Sequence, residues 1–248
     1  MHGSALLICA GMLSGAMNAA AGGGSFVSLP ALVFAGVPVL SANASSTVAL
    51  FPGALASAYA YRGDMRPLAG TSLRALVVSS VSGGFLGALL LLFTPQREFE
   101  RVLPWLLLIA TVTFATAGQI ARALVERVKV SPTAVVLTQF LLGVYGGYFG
   151  GAVGLMMMAL WSVYGATDIR AMNATKALLG GTMNAVAGLC FIFAGKVWWT
   201  QTLLVLAGAL AGGYFGARFV RRIPPAWLRA GITIFNVVMT ALFFLRSR

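Results

Sequence analysis

A chain of 248 residues that is 59% hydrophobic and 9% charged, with a mean hydropathy of +0.91, is too apolar for a water-soluble domain and long enough for many membrane spans. Its formal charge of +12 would point a soluble protein toward nucleic acid, but the basic residues sit in short loops between apolar runs. The charge is therefore topological information, the partner is a lipid bilayer, and no nucleic acid is expected.

The first 61 residues contain no Asp, Glu, Lys or Arg, which a water-exposed surface could hardly tolerate. They divide into apolar segments at 4–21, 25–36 and 41–61. The Ala19-Ala20-Ala21 run resembles a signal cleavage site, but no positive n-region precedes it, so the first segment is expected to stay in place. Segments at 71–93 and 102–121 complete the first half. The second half reads 133–149, 155–165, 169–194, 199–217 and 228–245. Two of the ten are too short to span: at ~1.5 Å per residue a 12-residue helix covers ~18 Å of a ~30 Å hydrocarbon core. Segments 25–36 and 155–165 are each expected to form one arm of a hairpin that turns at glycines inside the membrane.

The halves repeat one another. The stretch from Gly22 to Ser46 recurs about 130 residues later, placing Gly24 on Gly154, Asn43 on Asn173 and Ser46 on Lys176. With five segments per copy, the second copy enters the membrane from the opposite face, which is the signature of an inverted-repeat transporter with its substrate site near the midplane. The expected fold is an all-α polytopic membrane helical bundle of two inverted repeats, residues 1–121 and 133–248, joined by a cytoplasmic linker at 122–132. Parity puts Arg62, Arg66, Arg74, Arg122, Arg127, Lys129, Arg170, Arg218, Arg221, Arg222 and Arg229 on one side, and Arg97, Arg101, Lys196, Arg246 and Arg248 on the other. The positive-inside rule makes the first side cytoplasmic and both termini periplasmic.

Irregular backbone at membrane depth is tolerated only where protein or a wet cavity satisfies it, so Gly22, Gly23 and Gly24, and Gly150, Gly151 and Gly154, are expected to line a cavity rather than face lipid. Helices starting near Ser25 and Leu155 would aim their positive ends at the midplane, a site suited to a small anion. The other reading of glycines is close helix packing, which is expected for Gly11 and Gly15, Gly83 and Gly87, and Gly208, Gly212 and Gly216. The triple glycine is not a nucleotide loop, since no Lys-Ser or Lys-Thr pair follows it.

Lys176 is a lone cation in an apolar run, eight residues past Asp168. A lysine at this depth costs ~2.5–3.5 kcal/mol on the lenient insertion scales and needs a partner. An anionic substrate would supply one; snorkelling toward Asp168 and Arg170 is the alternative. Asn43, Ser45, Ser46 and Thr47, with Asn173 and Thr175, can donate hydrogen bonds to anion oxygens or join helices to one another. Asn18 is a further residue of this kind.

The run Asn18-Ala-Ala-Ala-Gly-Gly-Gly-Ser-Phe-Val-Ser-Leu-Pro30, with Gly36-Val-Pro38 and Ala42, then Gly146-Gly-Tyr-Phe-Gly-Gly, Asp168-Ile-Arg170 and Asn173-Ala-Thr-Lys176, resembles the TauE/SafE family of sulfite and organosulfonate exporters over nearly the whole chain. The resemblance implies a bacterial inner-membrane permease for small sulfur anions such as sulfite or sulfoacetate. Many members carry an acidic residue where this chain has Asn18, which removes a proton-coupling role from that position.

Other classes fare differently. An intramembrane enzyme would need a nucleophile with its base, or a metal cluster. His2 is the single histidine, and the five acidic residues, Asp64, Glu98, Glu100, Glu126 and Asp168, lie in or beside loops, so no enzyme and no cofactor are expected. Cys9 and Cys190 lie inside apolar runs, where free cysteine behaves as a small hydrophobe. An uptake permease or a channel for the same anions, or a non-transporting scaffold, stays open, as do a homodimer and a coupling sodium ion held by backbone carbonyls.

Overall fold

A computed structural model describes residues 2–20, 22–68, 70–124, 130–220 and 225–246. Among them ten α-helices follow in order: α1 His2–Ala20, α2 Ser25–Phe34, α3 Val39–Ala60, α4 Leu73–Phe93, α5 Gln96–Leu124, α6 Pro132–Tyr148, α7 Val153–Val163, α8 Ile169–Phe193, α9 Trp199–Val220 and α10 Pro225–Arg246. Each of the ten apolar segments corresponds to one helix. Arg62–Asp64 adds a single 3-10 turn after α3. Polar caps start several helices where the apolar runs begin: Ser72 accepts from the Ala75 N–H, Ser131 from Ala134, and Asp168 from Arg170 and Ala171.

The largest boundary difference is at α5, which starts at Gln96 rather than 102. Its opening turn is polar and therefore silent in a hydropathy reading. It is held by Gln96 Nε2 donating to Glu100 Oε1 and by an Arg101–Glu98 ion pair at 3.0 Å. Residues 125–129, the centre of the expected linker, lie outside the described residues, as do Arg221, Arg222 and Arg248. The side chains of Arg122, Arg218, Trp227, Arg229 and Arg246, within helices, are also outside.

By length and composition α3, α4 and α8 can each cross a membrane. α2 and α7, at 10 and 11 residues, cover only ~15–17 Å. The most extensive helix pairs are α1 along α9, α4 along α6, and α3 along α8, with α4 also against α8. Glycine makes the first two possible. A Cβ added at Gly208 on α9 would sit 3.0 Å from the Gly11 Cα on α1, and one at Gly83 on α4 would sit 3.0 Å from the Gly143 Cα on α6. Gly15 and Gly212, and Gly87 and Gly147, extend the same contacts by one turn, each facing backbone of the partner helix. The expected packing role of Gly11, Gly15, Gly83, Gly87, Gly208 and Gly212 is therefore seen, with Gly143 and Gly147 as partners that the sequence did not single out. Gly216 is within α9, but its surroundings lie outside what is described.

Trp161 is 1% exposed and packs in a core cluster with Val153, Met157, Met172, Leu179 and Met183. Trp105, Trp198 and Trp199 are exposed on the outer face. Cys9 and Cys190 are free thiols.

Candidate functional site

The two glycine turns have related backbones. After α1, Gly22 takes φ +75° and its N–H returns to the Met17 carbonyl at 3.1 Å. After α6, Gly150 takes φ +78°, its N–H reaching Tyr145 O at 3.4 Å. Both are left-handed conformations that a side chain resists. Ala152 is also left-handed, at φ +57°, which costs roughly 1–2 kcal/mol in a residue with a Cβ. Its carbonyl accepts from the Leu155 and Met156 N–H groups, so α7 starts at Val153, two residues before the expected Leu155. Gly154 thus lies within the first turn of α7 instead of ahead of it.

The turns meet at Lys176. This residue is 8% exposed, and its Nζ donates to Asn173 Oδ1 at 2.9 Å. A Cβ placed on Gly22 would be 3.6 Å from Lys176 Nζ and 3.8 Å from the Gly154 Cα; one on Gly154 would be 3.0 Å from Lys176 Cδ. The aliphatic stem therefore crosses Gly154, and the ammonium lies beside Gly22. Two adjacent glycines are what let a lysine lie flat between two turns.

No carboxylate answers this cation among the described residues. Asp168 is occupied at the start of α8 by the Arg170 and Ala171 N–H groups. Asp64 is in the 3-10 turn, Glu98 and Glu100 open α5, and Glu126 lies outside the described residues. The Arg101–Glu98 contact is the one ion pair among the described residues. The ammonium makes no ion pair with Asp168: it donates to Asn173, one turn toward Asp168 along α8. An ammonium between the starts of α2 and α7 adds its charge to two positive helix ends.

The other candidates divide between the turns. Asn43, 1% exposed, donates from Nδ2 to the Tyr148 carbonyl at 3.0 Å, tying α3 to the end of α6. Thr47 Oγ1 donates to the Asn43 carbonyl, and lies 4.0 Å from where a Gly150 Cβ would stand. For Ser46 the two expectations were a hydrogen bond to the anion and a bond between helices, and the structure shows the second. Its hydroxyl is 2.6 Å from that of Ser28, which also donates to Gly24 O at 3.2 Å. Ser46 thus braces the first turn from behind. Ser25, half-buried, opens α2, while Gly23, Gly24 and Gly151 are buried. Ser45 accepts from the Trp198 N–H, and Thr175 donates to Arg66 O; both join helices or loops. Ser28 and Tyr148 were missed, although Ser28, four residues after Gly24, carries the one-turn spacing that could have found it.

Comparison with known proteins gives the family of the chain. The family model "Sulfite exporter TauE/SafE" matches residues 7–243. A "Probable membrane transporter protein" of Haemophilus influenzae is 27% identical over 239 residues, covering 96% of this chain and 92% of that protein. "Probable membrane transporter protein ORF9" of Sinorhizobium sp is 29% identical, covering 88% of this chain and 83% of its own. "Probable membrane transporter protein YfcA" of Escherichia coli K12 is 26% identical, covering 95% and 87%. No solved structure matches the chain.

Proposed function

The chain belongs to the sulfite exporter TauE/SafE family, a family of membrane transporters, and from that premise we propose that it exports small sulfur-containing anions, sulfite or organosulfonates, across the bacterial inner membrane by alternating access. The observation that carries the proposal is the buried Lys176 ammonium, seated against Gly22 and Gly154 from the two glycine turns, with a neutral amide as its hydrogen-bond partner. Desolvated positive charge without a counterion favours an anion. In this reading the anion lies between Gly22, Gly23, Gly24 and Ser25 on one side and Gly150, Gly151 and Gly154 on the other. Lys176 and Asn173 bind it, Asn43 and Thr47 shape the second turn, and Ser46 supports the first.

Alternating access follows from a twofold relation between residues 1–121 and 133–248, with 122–132 as linker. The helix pairing supports this relation: α1 along α9 has its counterpart in α6 along α4, and α3 along α8 lies where the axis would pass. Outward movement of one negative charge down an inside-negative potential releases ~2.3 kcal/mol per 100 mV, so export needs no energy input beyond the potential.

The activity is tested by flux of labelled sulfite and sulfoacetate in proteoliposomes. Saturable counterflow is the expected result. Single-channel currents would sink alternating access, and no flux for any small sulfur anion would sink the transport reading. For topology, a cysteine at position 66 should resist an impermeant thiol reagent added outside, whereas one at position 97 should react. Labelling in the reverse order would invert the assignment of both termini to the periplasm.

A further inference from the structure

Asn43 presents a problem that its symmetry mate has solved. Its side chain is buried, its Nδ2 is committed to Tyr148 O, and its Oδ1 has no hydrogen-bond donor. An amide oxygen left unpaired in a low-dielectric interior costs free energy. Asn173, 130 residues on, occupies the matching place in the second half, and there the Oδ1 accepts from the Lys176 ammonium at 2.9 Å. The first half has Ser46 where the second has Lys176, and Ser46 is turned to Ser28. The first half thus keeps the acceptor oxygen and lacks the tethered cation.

The surroundings suit a free cation. The Asn43 side chain, from α3, reaches the C-terminal end of α6, where Tyr145 O accepts from the Phe149 and Gly150 N–H groups, Tyr148 O accepts from Asn43 itself, and the helix dipole is negative. Thr47 Oγ1 adds a neutral oxygen next to the same turn, beside Gly150. Carbonyls at the end of a broken helix, with side-chain oxygens, are ligands of the hard kind that sodium takes. Other buried oxygens without a donor, at Ser14, Gln139 and Asn184, have neither a helix end nor a mate already bound to a cation.

We propose that Asn43 Oδ1, with Thr47 Oγ1 and the last carbonyls of α6, binds a sodium ion that stands in for the ammonium Lys176 supplies in the other half. The proposal rests on the twofold relation argued above and is independent of which anion is carried. The two sides of one turn would then have opposite tasks, α6 ending on a cation and α7 starting at the anion.

The test is thermal unfolding of the full-length protein in detergent, in sodium chloride against choline chloride at equal ionic strength, with no sulfur anion present. Sodium at about a hundred times its Kd should raise the Tm by roughly 5–10 °C. Asn43→Asp, which adds charge to the same oxygen, should reach half of its Tm shift at a sodium concentration at least about tenfold lower. Ser46→Lys should make the Tm indifferent to sodium by restoring a tethered ammonium. Ser46 is 1% exposed, so if that variant does not fold, Asn43→Asp decides. Equal Tm in sodium and choline for the wild type would mean that water alone satisfies Asn43 and would overturn the site. A sodium shift unchanged in Asn43→Asp would overturn it too, by putting the ion elsewhere. Because no flux is measured, failure of sulfite transport leaves this result standing, and the reverse holds.

Discussion

Lys176→Met is expected to abolish anion flux while leaving the protein folded in the membrane. Methionine keeps a stem of similar length over Gly154, so the packing of α7 on α8 is conserved. Removing a buried charge that no carboxylate compensates relieves a desolvation penalty, so stability should hold or rise slightly. The one loss to the fold is the donor to Asn173 Oδ1, which costs about 1 kcal/mol if water replaces it. Binding, by contrast, loses the one full positive charge that the described residues place at the two turns. A hydrogen bond to a charged group contributes ~1.5–3 kcal/mol, roughly 10- to 150-fold in affinity for each one lost. Proteoliposome flux measured beside Tm separates the two effects. Wild-type flux in a well-folded Lys176→Met protein would remove Lys176 from the site, and Lys176→Arg should fall between, since the guanidinium keeps the charge but not the shape.

Gly24→Ala and Gly154→Ala are expected to fail in different ways, although the two positions are matched in the repeat. The Cβ of an alanine at 24 would overlap the Ser14 carbonyl and stand 3.2 Å from the Asn18 Cβ. That obstacle is helix backbone, so α1 and α2 must part, at about 1–3 kcal/mol for overpacking. At 154 the new methyl meets Lys176 Cδ at 3.0 Å and Cγ at 3.2 Å. The stem of a flexible side chain can yield, and alanine in the first turn of α7 gains roughly 0.5–1 kcal/mol over glycine. Gly154→Ala should therefore keep its Tm, displace the ammonium from Gly22 and lose flux by roughly tenfold or more. Gly24→Ala should lose Tm, and its flux should follow the amount of folded protein. If Gly154→Ala unfolded while Gly24→Ala kept its Tm and lost flux, this assignment of roles would be wrong.

The match between ten apolar runs and ten helices has a simple origin. A helix in lipid must be apolar nearly all round, so its length and ends are written locally, by composition, caps and glycines. The exceptions are local as well: α5 begins with a polar turn that hydropathy does not register, and α7 begins early because Ala152 takes a left-handed conformation. Lys176 was legible for the same reason, since one charge in an apolar run has few explanations. What it touches was not legible. Asp168 lies eight residues away on the same chain and proved to be a helix cap, while Gly22, more than 150 residues distant, proved to be beside the ammonium.

The amino-acid sequence alone determined the class of the protein, the number and place of its helices, the position of its two turns and the resemblance that the family match bears out. These follow from rules acting within a few residues or within one helix. Only the tertiary structure decided that Ser46 is spent on Ser28, that Asn43 reaches the end of α6, and that both turns converge on one lysine. Such pairings depend on which helices pack together and at what rotation. Inside a membrane most helix faces are equally apolar, so periodicity carries little of that information.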